Sequence, residues 1–162
     1  MDVTIFTSFF QEFLFVLIVF SIFFAIALRK GRQTTTNIIL GLYIGLLLSL
    51  QFPYYDSLAA GAESGTGGAV FRVLLFTVFT ILGTWLFARI LPREYSEKMF
   101  EGFLSKLSLA LAGTILVVLF SHNVLPIPEL INITTPLSSI FAQTEYFFWW
   151  LLVPLIVLFW MS

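Results

Sequence analysis

Four polar residues, Glu12, Asp56, Arg72 and His122, stand at or near the ends of long apolar runs and carry much of this chain's capacity for proton, ion or ligand chemistry. Arg72 is the most informative, because an arginine within an apolar segment is costly unless it snorkels or finds a carboxylate or a wet cavity. Glu12, at the mouth of the first apolar segment, and Asp56 or Glu63, in a later loop, fall on the same expected side as Arg72. Ion pairing, interfacial snorkelling and anion or proton handling are therefore the three readings of that group. His122 is the only histidine. One imidazole beside Asn123 does not make a metal centre, which needs further ligands in suitable geometry, so His122 reads as a polar helix-end residue. Glu129 follows Pro126 and Pro128 as a loop carboxylate, and Arg93, Glu94, Glu97, Lys98 and Glu101 form a mixed, solvated patch.

No recognisable motif joins a serine to a histidine base and an oriented acid. "GTGG" at 65–68 lacks the lysine and the spacing of a phosphate loop. "NIT" at 132–134 matches a glycosylation acceptor pattern, which matters only in a eukaryotic secretory route. The chain has no cysteine, which removes disulfides, thiolate nucleophiles and thiolate metal sites. These residues predict a non-enzymatic protein with no catalytic set, no metal and no cofactor. The enzyme alternative needs His122, Glu129 and Asp56 to converge in one polar cavity.

The elements that hold these residues are set by apolar content. The chain is 59% hydrophobic and 10% charged, with a mean hydropathy of +1.01. Soluble domains carry about 25% charged residues, so the grouping of charges between long apolar runs points to lipid solvation. The expected fold is all-α: a compact polytopic transmembrane bundle of one domain over 1–162, with five spans at 9–28, 35–52, 70–90, 103–121 and 144–161. Twenty residues rise about 30 Å as a helix, the thickness of the hydrocarbon core. The first segment has acidic rather than basic residues before Arg29, unlike a cleaved signal peptide, and reads as a retained span. Residues 53–69, rich in glycine, read as an irregular connection with a short surface helix near 57–62. Residues 91–107 read either as an interfacial helix or as a charged linker. The last segment, with Pro154 and three tryptophans, reads as a fifth span or as a re-entrant or interface-lying helix, and Thr135–Pro136 would suit its start.

Small residues at four-residue spacing mark the expected packing faces: Gly41, Gly45 and Ser49; Thr80, Thr84 and Ala88; Ser108 and Ala112. Such lines lie on one side of a helix and let a neighbouring backbone approach. They serve either folding within one chain or an oligomer interface. Orientation follows from cations. With five spans, Arg29, Lys30, Arg32, Arg89, Arg93, Lys98 and Lys106 share one side and Arg72 alone takes the other. The positive-inside rule then places the N-terminus outside and the C-terminus inside. The partners expected are membrane lipid and either second copies or other membrane subunits. The scattered cations make no nucleic-acid footprint.

The order of features resembles the small bacterial inner-membrane family of colicin V production proteins (CvpA-like). The likeness is carried by a first span ending "LRKGR", a second "ILGLYIGLLLSLQF", a third ending "LGTWLFARIL", and "GFLSKLSLALAGTILVVLF" in the fourth. It covers residues 13 to 127 and includes no catalytic signature. The family's early acidic residue corresponds to Glu12 at best, "RKGR" is altered, and the Trp-rich last segment has no match. The resemblance implies a protein of the bacterial cytoplasmic membrane in an envelope assembly or accessory role, connected with export. An oligomeric channel or small-solute transporter, with Ser49, Thr80 and Thr84 as polar lining, is the competing reading.

Overall fold

The computed structural model describes residues 3–54, 65–91, 101–123 and 144–161. Four helices account for nearly all of them: α1 Val3–Leu50, α2 Gly65–Ile90, α3 Glu101–Asn123 and α4 Thr144–Met161. Three of these contain stretches long and apolar enough to cross a membrane, Phe10–Leu50, Gly67–Ile90 and Gly102–Ser121. The apolar stretch of α4, Tyr146–Trp160, is shorter. An all-helical chain with three such helices fits a membrane protein, where backbone polar groups must be satisfied within each segment.

The first apolar stretch, at 41 residues, is about twice the length a bilayer needs. One residue divides it. Gly31 has φ 84° and ψ 173°, a region that only glycine enters readily. The sequence led us to expect a polar linker of several residues between two helices; the structure instead breaks one helix at a single glycine. A helix end leaves its last carbonyls short of amide donors. Here the Thr34 hydroxyl donates to Lys30 O (3.0 Å) and the Thr35 hydroxyl to Gly31 O (3.2 Å). The two arms, residues 3–30 and 32–50, then contribute Val19 and Phe23, and Ile39, Leu42 and Leu46, to the same core.

Two other expectations shift at their edges. The glycines at 65–68, expected in an irregular connection, lie in the first turn of α2, where four amides lack intrahelical partners and the helix cost of glycine is smallest. The fourth expected segment is extended at both ends to Glu101 and Asn123. The surface helix near 57–62, the linker residues 92–100, Glu129, Asn132 and Thr135–Pro136 lie outside the described residues.

α3 is the central element. Leu109, Ala110, Ala112, Leu116, Leu119 and Phe120 are buried along it, and it packs against both α1 and α4. Phe23 of the first arm lies over Gly113, Phe24 stands edge-on to Phe103, and Phe76 of α2 meets Phe120 edge-on. The second arm runs antiparallel to α2, with Gly41 beside Thr84 and Gly45 beside Thr80. Gln33 Nε2 donates to Leu91 O at 3.5 Å, which joins the break in α1 to the C-terminal end of α2. At the other end Phe52 meets Phe79. α4 is held to the second arm by the Tyr43 hydroxyl, which donates to Leu151 O at 2.5 Å. That bond falls in the turn before Pro154, which lacks an N–H and disturbs the helix there.

Candidate functional site

The second arm of α1 and α2 bring their backbones close together at glycines. A Cβ added at Gly41 would meet Thr84 Oγ1 and stand 2.7 Å from Thr84 N and 2.9 Å from Thr80 O. One added at Gly45 would meet Thr80 Oγ1 and stand 3.1 Å from Thr80 N. From the other side, a Cβ at Gly83 would be 3.2 Å from both Cα and O of Gly41. The seam thus closes with glycine on both helices, as packing between apolar segments requires when no bulk can be spared. Thr84 Oγ1 donates to Thr80 O (2.7 Å), so this polar group is satisfied on its own helix.

Most of the residues singled out from sequence in this region meet, but one does not. Gly41, Gly45, Thr80 and Thr84 form the seam; Ser49, buried, continues the face of Gly45. Ala88 is exposed, and Gly83 takes the place expected of it. The reason is the period. The buried residues of α2 are Ala69, Phe76 and Gly83, a seven-residue repeat of the kind that keeps a seam facing its partner. A four-residue step drifts about 40° each time from the 3.6-residue turn, which carries Ala88 out of the contact. On α3, Ala112 is buried, whereas Ser108 is half-buried and its hydroxyl donates back to Leu104 O (2.9 Å). The close contact there is at Gly113, where an added Cβ would be 3.0 Å from Phe23 Cγ.

The interior also carries polar side chains that sequence reasoning did not select. Thr35, Asn37, Thr114 and Ser121 are buried. Thr114 and Ser121 donate to Ala110 O and Val118 O, each at 2.7 Å, the usual way a helix satisfies a hydroxyl in apolar surroundings. Asn37 Oδ1 and Thr80 Oγ1 are buried without a hydrogen-bond partner. Asn37 extends the four-residue line Asn37, Gly41, Gly45, Ser49, although it lacks the small size that marks the other three.

Glu12 is 2% exposed while its neighbours Phe13 and Leu14 are 55% and 43% exposed, so its carboxyl faces the bundle rather than the outside. Arg72 lies on the exposed side of α2. Asp56 and the side chain of His122 lie outside the described residues, so the expected grouping of Glu12, Asp56, Arg72 and His122 falls partly outside them. Among the described residues no group of three or more His, Cys, Asp or Glu side chains could hold a metal ion. No protein-family model, curated protein or solved structure matches the chain.

Proposed function

We propose that the chain is a non-enzymatic integral membrane protein of five spans, N-terminus outside and C-terminus inside, serving as an assembly or accessory component of the cell envelope. The observation that supports this reading is the close packing of the described helices. Glycine-on-threonine and ring-on-glycine contacts close two of the crossings, and α3 is buried under side chains from three directions. A bundle packed in this way is a scaffold. Two arms of α1 separated at Gly31, together with α2, α3 and α4, give five crossings when the shorter α4 also spans. Its flanking Trp149 and Trp160 suit the two interfaces. The resemblance to CvpA-like proteins supports a bacterial cytoplasmic membrane and an export-related envelope role. Partners are second copies of the chain or other membrane subunits. Mass measurement in mild detergent and in lipid, with identification of co-purifying proteins, tests the reading; a monomer without partners in both media contradicts it.

One observation favours the competing reading of an oligomeric channel or small-solute transporter. Asn37 Oδ1 and Thr80 Oγ1 are buried acceptors without partners on the two helices of the seam, and intramembrane polar groups often mark a translocation path. Flux of several ions and small anions into vesicles containing the chain distinguishes the two. Flux above protein-free vesicles favours the channel, and its absence favours the scaffold.

A further inference from the structure

Arg89 does not extend beyond the end of its helix. Its guanidinium folds back over the face of Trp85, 5.7 Å from the ring centroid, on the exposed side of α2. The direction is the ordinary one for a helical side chain, toward the N-terminus of its own helix. In this helix it keeps the charge one turn short of the C-terminal end. α2 has 26 residues and rises about 39 Å, more than the ~30 Å hydrocarbon core. Its last turn therefore reaches the headgroup layer, with Trp85 at the boundary where tryptophan is enriched. Around the guanidinium the surface is apolar: Leu82, Leu86 and Ile90 are all exposed.

Arg29 and Lys30, both exposed, precede the break at Gly31, and Gln33 beyond it donates to Leu91 O, so the hinge of α1 lies at the same end of the bundle as the C-terminal end of α2. With Arg89 Cζ 5.7 Å from the Trp85 ring centroid, the charge stays on the exposed surface of α2, and a guanidinium presents a planar set of N–H donors that can bind two oxygens of a phosphate.

We infer that Arg89, held over Trp85, binds the phosphate of an anionic phospholipid, with the exposed Arg29 and Lys30 adding positive charge at the same end of the bundle. The inference rests on the membrane placement proposed above. A lipid, rather than a soluble phosphate, fits because the charge is surrounded by exposed Leu82, Leu86 and Ile90, which acyl chains would cover. The inner-leaflet orientation agrees, since anionic lipids there attract juxtamembrane cations.

The full chain is placed in phosphatidylcholine nanodiscs and titrated with phosphatidylglycerol, and retained lipid is counted by native mass spectrometry. The unmodified chain should retain phosphatidylglycerol in preference to phosphatidylcholine. Arg89→Gln should weaken that retention about fivefold, the factor expected from losing one cation at a headgroup. Arg89→Lys, which keeps the charge but loses the planar fork, should fall between. Arg72→Gln removes the same charge at the other end of the same helix and should leave retention unchanged. Equal losses in Arg89→Gln and Arg72→Gln would reduce the effect to diffuse charge and overturn the site. Displacement of the lipid by inorganic phosphate would overturn the lipid as its ligand. A chain that inserts but shows no preference contradicts the lipid site alone, whereas failure to insert contradicts the membrane reading as well.

Discussion

At Gly45 a larger side chain would have to occupy the space of Thr80, whose backbone nitrogen and Cα stand 3.1 and 3.2 Å from the position of an added Cβ. These are backbone atoms, so relief requires the helices to separate. Overpacking of this kind costs about 1–3 kcal/mol and more where backbone must move. Gly45→Leu should therefore lower the thermal stability of the purified chain clearly, while Leu47→Ala, at a residue 61% exposed, should change it little. Equal stability of Gly45→Leu and the unmodified chain would contradict the close seam. Gly31 makes a different demand. No atom lies within 4 Å of a Cβ added there, yet its φ is 84°. Gly31→Ala should cost about 1–3 kcal/mol through backbone strain alone, seen as a lower melting temperature. A neighbouring truncation cannot relieve that loss, since no contact causes it.

The helices show where sequence patterns were sufficient and where geometry decided. Apolar length located every described helix, because lipid leaves few alternatives to a continuous helix. The line Gly41, Gly45, Ser49 was readable because all three residues are small and stand at four-residue spacing in a run without charge. Its partner line was read one step wrong at Ala88, because a seven-residue seam and a four-residue spacing agree over Thr80 and Thr84 and then diverge. Gly83 and Gly113 gave no signal of their own; each is identified only by what faces it, Gly41 in one case and Phe23 in the other. The single-residue break at Gly31 was hidden inside a basic stretch that already resembled a loop. Tyr43 was equally silent, since its hydroxyl acts across 108 positions of sequence. Its bond to Leu151 O predicts that Tyr43→Phe loosens α4 from the second arm. The expected cost is about 0.6–1.5 kcal/mol, with faster proteolysis or labelling along α4 as the readout. Unchanged protection of α4 would show that α3 alone holds it.

Across the whole molecule, a formal net charge of −1 conceals a separation. Arg29, Lys30, Arg32, Arg89, Arg93, Lys98 and Lys106 are opposed by only Glu94, Glu97 and Glu101 in the connections at residues 29–36 and 89–106. Arg72 stands against Asp2, Glu12, Asp56, Glu63, Glu129 and Glu145 elsewhere. The bond between Gln33 and Leu91 O and the ring contact of Phe24 with Phe103 bring the described members of the first group, Arg29, Lys30, Arg32, Arg89 and Lys106, to one end of the bundle. That arrangement is what makes the proposed orientation testable with a chain that has no native cysteine. Single cysteines at Gln33, Ser96 and Ser64 are treated in intact cells with a membrane-impermeant thiol reagent, then again after the membrane is opened. Ser64→Cys should react in intact cells, and Gln33→Cys and Ser96→Cys only after opening. Labelling of Gln33→Cys or Ser96→Cys in intact cells, with Ser64→Cys protected, would contradict the account.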